Sequence, residues 1–221
     1  MAEDILVSLQ SAFELYEKVC ENHDIYVGKT ISTRERDAKG LTASTLVYGE
    51  IMFEPFAIAF QKIKQLYGGL TKRGGTFVDV GSGTGKPVFG AALLHDFTQC
   101  RGVEILTGLH SASLELLERW KSDEIQVLLS PTQRLTDISF VLGDARKLDW
   151  SDADVIFMNS TCYDETLMLE LAIVADRVKS GSFCITFTRR LPSARWIVLE
   201  QEVHRMSWGT ATVFIQKKIL Q

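Results

Sequence analysis

The chain has 221 residues and a net charge of −4, and is 46% hydrophobic and 24% charged, which suits one domain with its own core and provides no global basic field for nucleic acid. No apolar run approaches a membrane span, and residues 1–4 lack the basic-then-apolar shape of a signal peptide. Cys20, Cys100, Cys162 and Cys184 form no Cys-x-x-Cys pair, so they read as reduced thiols of an intracellular protein, cytoplasmic or nuclear, with no zinc site.

Taken in chain order, Ile5, Leu9, Ala12, Phe13, Tyr16 and Val19 recur at helical spacing and predict an N-terminal helix. Residues 21–44 are largely polar, with Thr33-Arg34-Glu35-Arg36-Asp37 as a mixed-charge run. They read as a solvated loop, with a mobile lid or substrate-contact segment as the alternative. A second helix follows Glu54-Pro55, with proline suited to a first turn, and buries Phe53, Phe56, Ala57, Phe60, Ile63 and Tyr67. Paired glycines at 68–69 and 74–75 then break the chain.

Residues 76–91 organise everything after them. An apolar strand signal runs into Asp79, glycines alternate at Gly81, Gly83 and Gly85, and a helical signal begins at Lys86-Pro87. That is a strand, a tight turn and a helix N-terminus whose free N–H groups face whatever lies over the turn. A dinucleotide fingerprint needs its third glycine where Lys86 stands. A phosphate-binding loop fails at Val80 and again at Pro87. The Asp-x-Gly-x-Gly-x-Gly turn of S-adenosylmethionine-dependent methyltransferases fits completely.

Downstream, strands are expected at 100–105, 138–142, 154–158 and 183–188. Helices lie between them, one carrying Leu109, Ala112, Leu116, Leu117 and Trp120 and another Leu167, Met168, Leu171, Val174 and Val178. Residues 196–203 and 210–216 read as a closing antiparallel hairpin. The expected fold is a doubly wound, mostly parallel seven-stranded α/β sheet of Rossmann-like type with an N-terminal helical extension. One domain is expected over residues 1–221, with helices and a cofactor-covering loop in 1–75 and the core in 76–221.

Ligands of such sheets sit at the carboxyl ends of the strands. Asp79 stands there beside the glycine turn, and Glu104 follows Gly81 by 23 residues, where a ribose-binding acid belongs. Asp144 can take the exocyclic amine of adenine while Ala145 leaves the base room, and Asn159 ends the fourth strand beside the reacting centre. Transfer from a sulfonium requires positioning and exclusion of water and no metal. His23, His95, His110 and His204 are scattered, which agrees.

Tyr48-Gly49-Glu50, Val78-Asp79-Val80-Gly81-Ser82-Gly83-Thr84-Gly85, Gly102-Val103-Glu104-Ile105, Val155-Ile156-Phe157-Met158-Asn159 and the late Ser207-Trp208 resemble, in order and spacing, the Dot-type histone lysine methyltransferases. This likeness to a class I methyltransferase family spans about residues 46–217. The resemblance implies that Tyr48 and Glu50 fold over the cofactor, which Asp79, Gly81, Ser82, Gly83, Gly85, Lys86, Glu104, Ile105, Asp144, Ala145 and Asn159 also contact. It implies that Asn159 and Ser160 line a lysine channel, with Tyr163 and Trp208 as aromatic walls that hold the amine before it loses its proton. The family has asparagine where Ser160 stands, an aromatic at Thr161, glutamine at Lys86 and a channel tyrosine near Val213-Phe214.

The expected activity is N-methylation of a lysine on a protein partner, a histone being one candidate, without membrane or strong nucleic-acid binding. Methylation of a small molecule or another nucleophile, and a non-catalytic cofactor-binding module, are the alternatives.

Overall fold

The computed structural model describes residues 2–206 and 209–219, so Ser207 and Trp208 lie outside the described residues, as does the side chain of Ile5. Helices α1 (Ala2–Val19) and α2 (Ile25–Lys39), a 3-10 turn (Ser44–Leu46) and α3 (Phe53–Gln65) precede the sheet. Then come β1 (Thr76–Val80), α4 (Lys86–Leu94), β2 (Gln99–Glu104), α5 (Thr107–Lys121) and the short α6 (Asp123–Gln126). The chain continues through β3 (Asp137–Leu142), β4 (Val155–Met158), α7 (Glu165–Ala175), β5 (Phe183–Phe187), β6 (Trp196–Met206) and β7 (Gly209–Lys218).

The strands lie in the order β3-β2-β1-β4-β5-β7-β6. The first five are parallel, β7 is antiparallel to β5, and among the described residues β6 pairs only with β7. This is the expected Rossmann-like sheet with its terminal hairpin. Side-chain alternation divides the core in two. Phe77, Val155, Phe157, Phe183, Ile185 and Phe187 face a cluster covered by α1, α3, α4 and α5. Val78, Val80, Ile156, Met158 and Cys184 face the other side, covered by α7 with Trp150 and Trp196. Strands buried on both faces are apolar throughout, which is why β4 and β5 read so plainly. Among the described residues no helix is long and apolar enough to cross a membrane.

The stretch 21–44 corrects the sequence reading. Most of it is α2, not a solvated loop. The Asp24 carboxylate caps its start, accepting from the backbone N–H of Tyr26 at 2.8 Å and of Val27 at 3.1 Å. Gly40 closes it in the left-handed conformation, φ 62°. The helix lacks a strong apolar stripe and leans on tertiary contacts instead. Glu35 accepts from the N–H groups of Thr107 (3.0 Å) and Gly108 (2.6 Å), so a carboxylate of α2 caps α5, which has no side-chain cap of its own. Burial raises the Glu35 carboxyl, but the bonds from Lys39, Gly108 and Thr107 prevail and hold it below its ordinary value.

Candidate functional site

The strand order reverses between β1 and β4, and a cavity of about 620 Å³ opens at their carboxyl ends. Its floor is the turn between β1 and α4. Gly81 and Gly83 there have φ of 76° and 56°, and neither has room for a side chain. A Cβ on Gly81 would meet the Tyr163 hydroxyl, and one on Gly83 would meet the Tyr48 ring. Ser82 also lines the cavity, whereas Gly85 does not; it is the left-handed residue that starts α4 and packs against Phe140.

Asp79 is 1% exposed, faces the cavity, and has neither carboxylate oxygen partnered among the described residues; the Ser82 Oγ is likewise unpartnered. Burial, and then the nearby Glu104, push the Asp79 carboxyl well above its ordinary range. Such a group demands a partner that the described residues do not supply. Glu104 is better satisfied. One oxygen accepts from Gly83 N at 2.7 Å and the other from Ile105 N and Leu106 N at 2.8 Å. Burial still raises its carboxyl, against those three bonds. A carboxylate offers about four acceptor positions, so one remains for a ligand hydroxyl. Ile105 stands half-exposed at the cavity wall beside it.

Opposite the turn, Lys86 and Glu50 form a partly buried pair at 2.8 Å. The Tyr48 hydroxyl donates to Glu50 at 2.5 Å and lies 3.0 Å from the Thr84 hydroxyl, while its ring packs between Gly28 and Gly83. Burial, reinforced by Glu50, raises the Tyr48 phenol well above its ordinary value, so it remains a donor. At the third strand, Asp144 is already gripped. Arg146 donates from Nε to Oδ1 at 2.8 Å and from Nη2 to Oδ2 at 2.7 Å, and this fork holds the carboxyl low. A base amine arriving there must share or displace Arg146. Ala145 lines the cavity, its carbonyl fixed by Trp150 Nε1 at 2.9 Å.

The turn after β4 completes the site. The Asn159 Nδ2 donates to Gly49 O at 2.8 Å, and its Oδ1 accepts from the Thr161 hydroxyl at 3.1 Å. Tyr163 faces the glycine turn, donating to Val80 O at 2.9 Å; burial, with Glu104 and Asp79 nearby, raises its phenol. Ser160 departs from expectation. It is fully buried, off the cavity wall, and bonded to the carbonyls of Phe187 and Arg189. Its partners lie some thirty residues further along, so no local pattern foretold them. Thr84 and Arg146 are cavity residues the sequence did not single out, though Thr84 lies inside the glycine motif; Thr161, noted only as a departure from the resembled family, lines the cavity too.

The donor set thus offers an unpartnered acid for a cation, a buried lysine for a carboxylate and an acid with a free position for hydroxyls. Those features fit a ligand that joins an amino acid to a ribose.

Comparison with known proteins supplies a family. The model of "Histone methylation protein DOT1" matches residues 29–207. A Dictyostelium discoideum protein named histone-lysine N-methyltransferase, H3 lysine-79 specific, is 26% identical over 238 residues, covering 96% of this chain. The chain spans about 12% of that relative's length. Among solved structures, M. capricolum TrmK in complex with S-adenosyl-homocysteine superposes with a TM-score of 0.53 at 9% identity, over 76% of this chain and 70% of that one. The [4+2]-cyclase SpnF superposes at 0.56 and 11% identity, over 76% and 82%. Likeness at such identity establishes the fold alone, and SpnF illustrates that the fold does not fix the reaction.

Proposed function

Since the chain belongs to the DOT1 family of histone methylation proteins, we propose that it transfers a methyl group from S-adenosylmethionine to a protein lysine. The finer part of the proposal is that the protein is a histone and that the chain works in the nucleus, in line with the relative specific for H3 lysine 79. The observation that carries the reading is the buried Asp79 carboxylate, unpartnered among the described residues, in the same cavity as the Asn159 turn.

Asp79 would take the cofactor's ammonium, Lys86 its carboxylate, and Glu104 its ribose hydroxyls. When bound, the cofactor supplies a sulfonium methyl for in-line displacement by an amine. The chain's part is positioning and drying the site. Residues 1–75 supply the N-terminal helices and a loop that covers the cofactor over the core of 76–221, with Tyr48 and Gly49 fixed to Thr84 and Asn159. A lysine reacts only after losing its proton, and an uncharged Asn159 at the channel favours that loss, whereas a carboxylate there would stabilise the ammonium.

The test offers tritiated donor to the chain with nucleosomes, free histone octamer and lysine-free control proteins. Label should enter lysine of a histone. Labelled small molecules with unlabelled protein would overturn the lysine assignment, and absence of adenosylhomocysteine binding by calorimetry would overturn the cofactor.

A further inference from the structure

One residue bordering the cavity turn is held in a conformation it should avoid. Thr188 directly follows β5 and has φ 69°. Among the described residues three non-glycine residues have positive φ, Asn22, Leu70 and Thr188, and Thr188 alone is β-branched. A branched side chain in that region is an outlier. The Arg189 N–H donates to Phe187 O at 2.8 Å around it, a γ-turn of the rarer, strained hand.

The strain is over-determined. Thr188 N–H is tied to Thr212 O on β7 at 2.7 Å. The Ser160 hydroxyl lies 2.6 Å from Phe187 O and 3.1 Å from Arg189 O, gripping the carbonyls on both sides of Thr188. The result is a hydroxyl placed where an unstrained strand end would not put it. Thr188 Oγ1 donates to Thr161 Oγ1 at 3.3 Å, Thr161 donates to Asn159 Oδ1 at 3.1 Å, and Asn159 Nδ2 donates to Gly49 O at 2.8 Å. Each hydroxyl has one proton, so the chain of bonds runs one way and fixes which end of the Asn159 amide points where.

We propose that Thr161 and Thr188 are positioning residues, a hydroxyl relay built on a strained turn that sets the orientation of the Asn159 amide for methyl transfer. Strain retained beside a reacting group, where the surroundings enforce it, is the usual sign of such a role. The relay rests on the methyltransferase reading for its purpose, but its existence does not. Without it, only the bond from Asn159 Nδ2 to Gly49 O opposes a flip that presents Nδ2 where Oδ1 belongs.

The test uses the full chain with Thr161→Val, which keeps shape and removes the hydroxyl, Thr161→Ser, which restores it, and Thr188→Gly, which removes strain and hydroxyl together. In the chain without ligand, solvent exchange of the Asn159 side-chain amide, assigned by its loss in Asn159→Asp, should quicken in Thr161→Val and Thr188→Gly and return in Thr161→Ser. Turnover on the labelled protein acceptor should fall about tenfold in Thr161→Val, the size of one hydrogen bond, with KM and adenosylhomocysteine affinity little changed. Thr188→Gly should keep or raise Tm while losing turnover, which a merely structural threonine would not do. Unchanged amide exchange in Thr161→Val overturns the relay, and changed exchange with wild-type turnover overturns its positioning role. A wild-type chain that neither binds adenosylhomocysteine nor labels protein defeats the functional reading instead, and the amide exchange still judges the relay.

Discussion

At Asp79 the needs of folding and of ligand binding oppose each other. Its raised pKa means the folded chain holds this proton more tightly than the unfolded chain does. The group's contribution is therefore favourable below the unfolded value, about 3.9, and is lost as pH rises through the folded one. Asp79→Asn should make the ligand-free chain melt higher at pH 7, with the gain vanishing below about pH 4, while adenosylhomocysteine binding collapses. A drop in Tm at pH 7 would show that the carboxylate is satisfied. Glu104 is the contrasting case, because three backbone N–H groups depend on it. Glu104→Ala should lower both ligand affinity and the stability of the free chain, the latter by about 1–3 kcal/mol for stranded buried donors. Both acids were legible from their spacing to the glycines. Ser160 and Thr161 were noted, but their bonding, like that of Thr188, was not legible, because what matters there is a backbone angle and partners far along the chain.

Helix α2 shows the same limit one level up. Its sequence is mostly polar or charged, and periodicity had little apolar material to work with. What makes it a helix is the Asp24 cap and the Glu35 clasp on α5, the first a local signal and the second a contact across 72 residues. The parallel strands posed no such difficulty, since burial on both faces writes an apolar run directly into the sequence. Replacing Glu35 by Gln removes the charge at the α5 N-terminus and one of two acceptors. Amide exchange should then quicken across 25–39 and the first turn of α5 and stay unchanged in β1 and β4. Because the Glu35 carboxyl is held low, the wild-type clasp is present above about pH 4.3 and fades as pH falls through the folded value. Equal exchange in the variant would mean that α2 is held by its packing alone.

For the molecule as a whole, the cover is joined to the core by contacts that include Glu35 on α5, Glu50 on Lys86 and Gly49 on Asn159. Adenosylhomocysteine at a hundredfold excess over its Kd should stabilise the fold by about 2.7 kcal/mol. Protection should gather in 25–51 and 159–163, and uniform protection over the sheet would argue for ligand bound elsewhere. The terminal hairpin adds a constraint of a different kind. β7, the last of the seven strands to leave the ribosome, does not lie at the rim but between β5 and β6, hydrogen-bonded to both. Until it emerges, the inner edge of β5 is open and β6 has no neighbour at all. From the completion of β5 at Phe187 until β7 emerges, the nascent chain therefore carries an apolar, sticky edge, and a stop codon or a stalled ribosome before residue 209 leaves it unsealed.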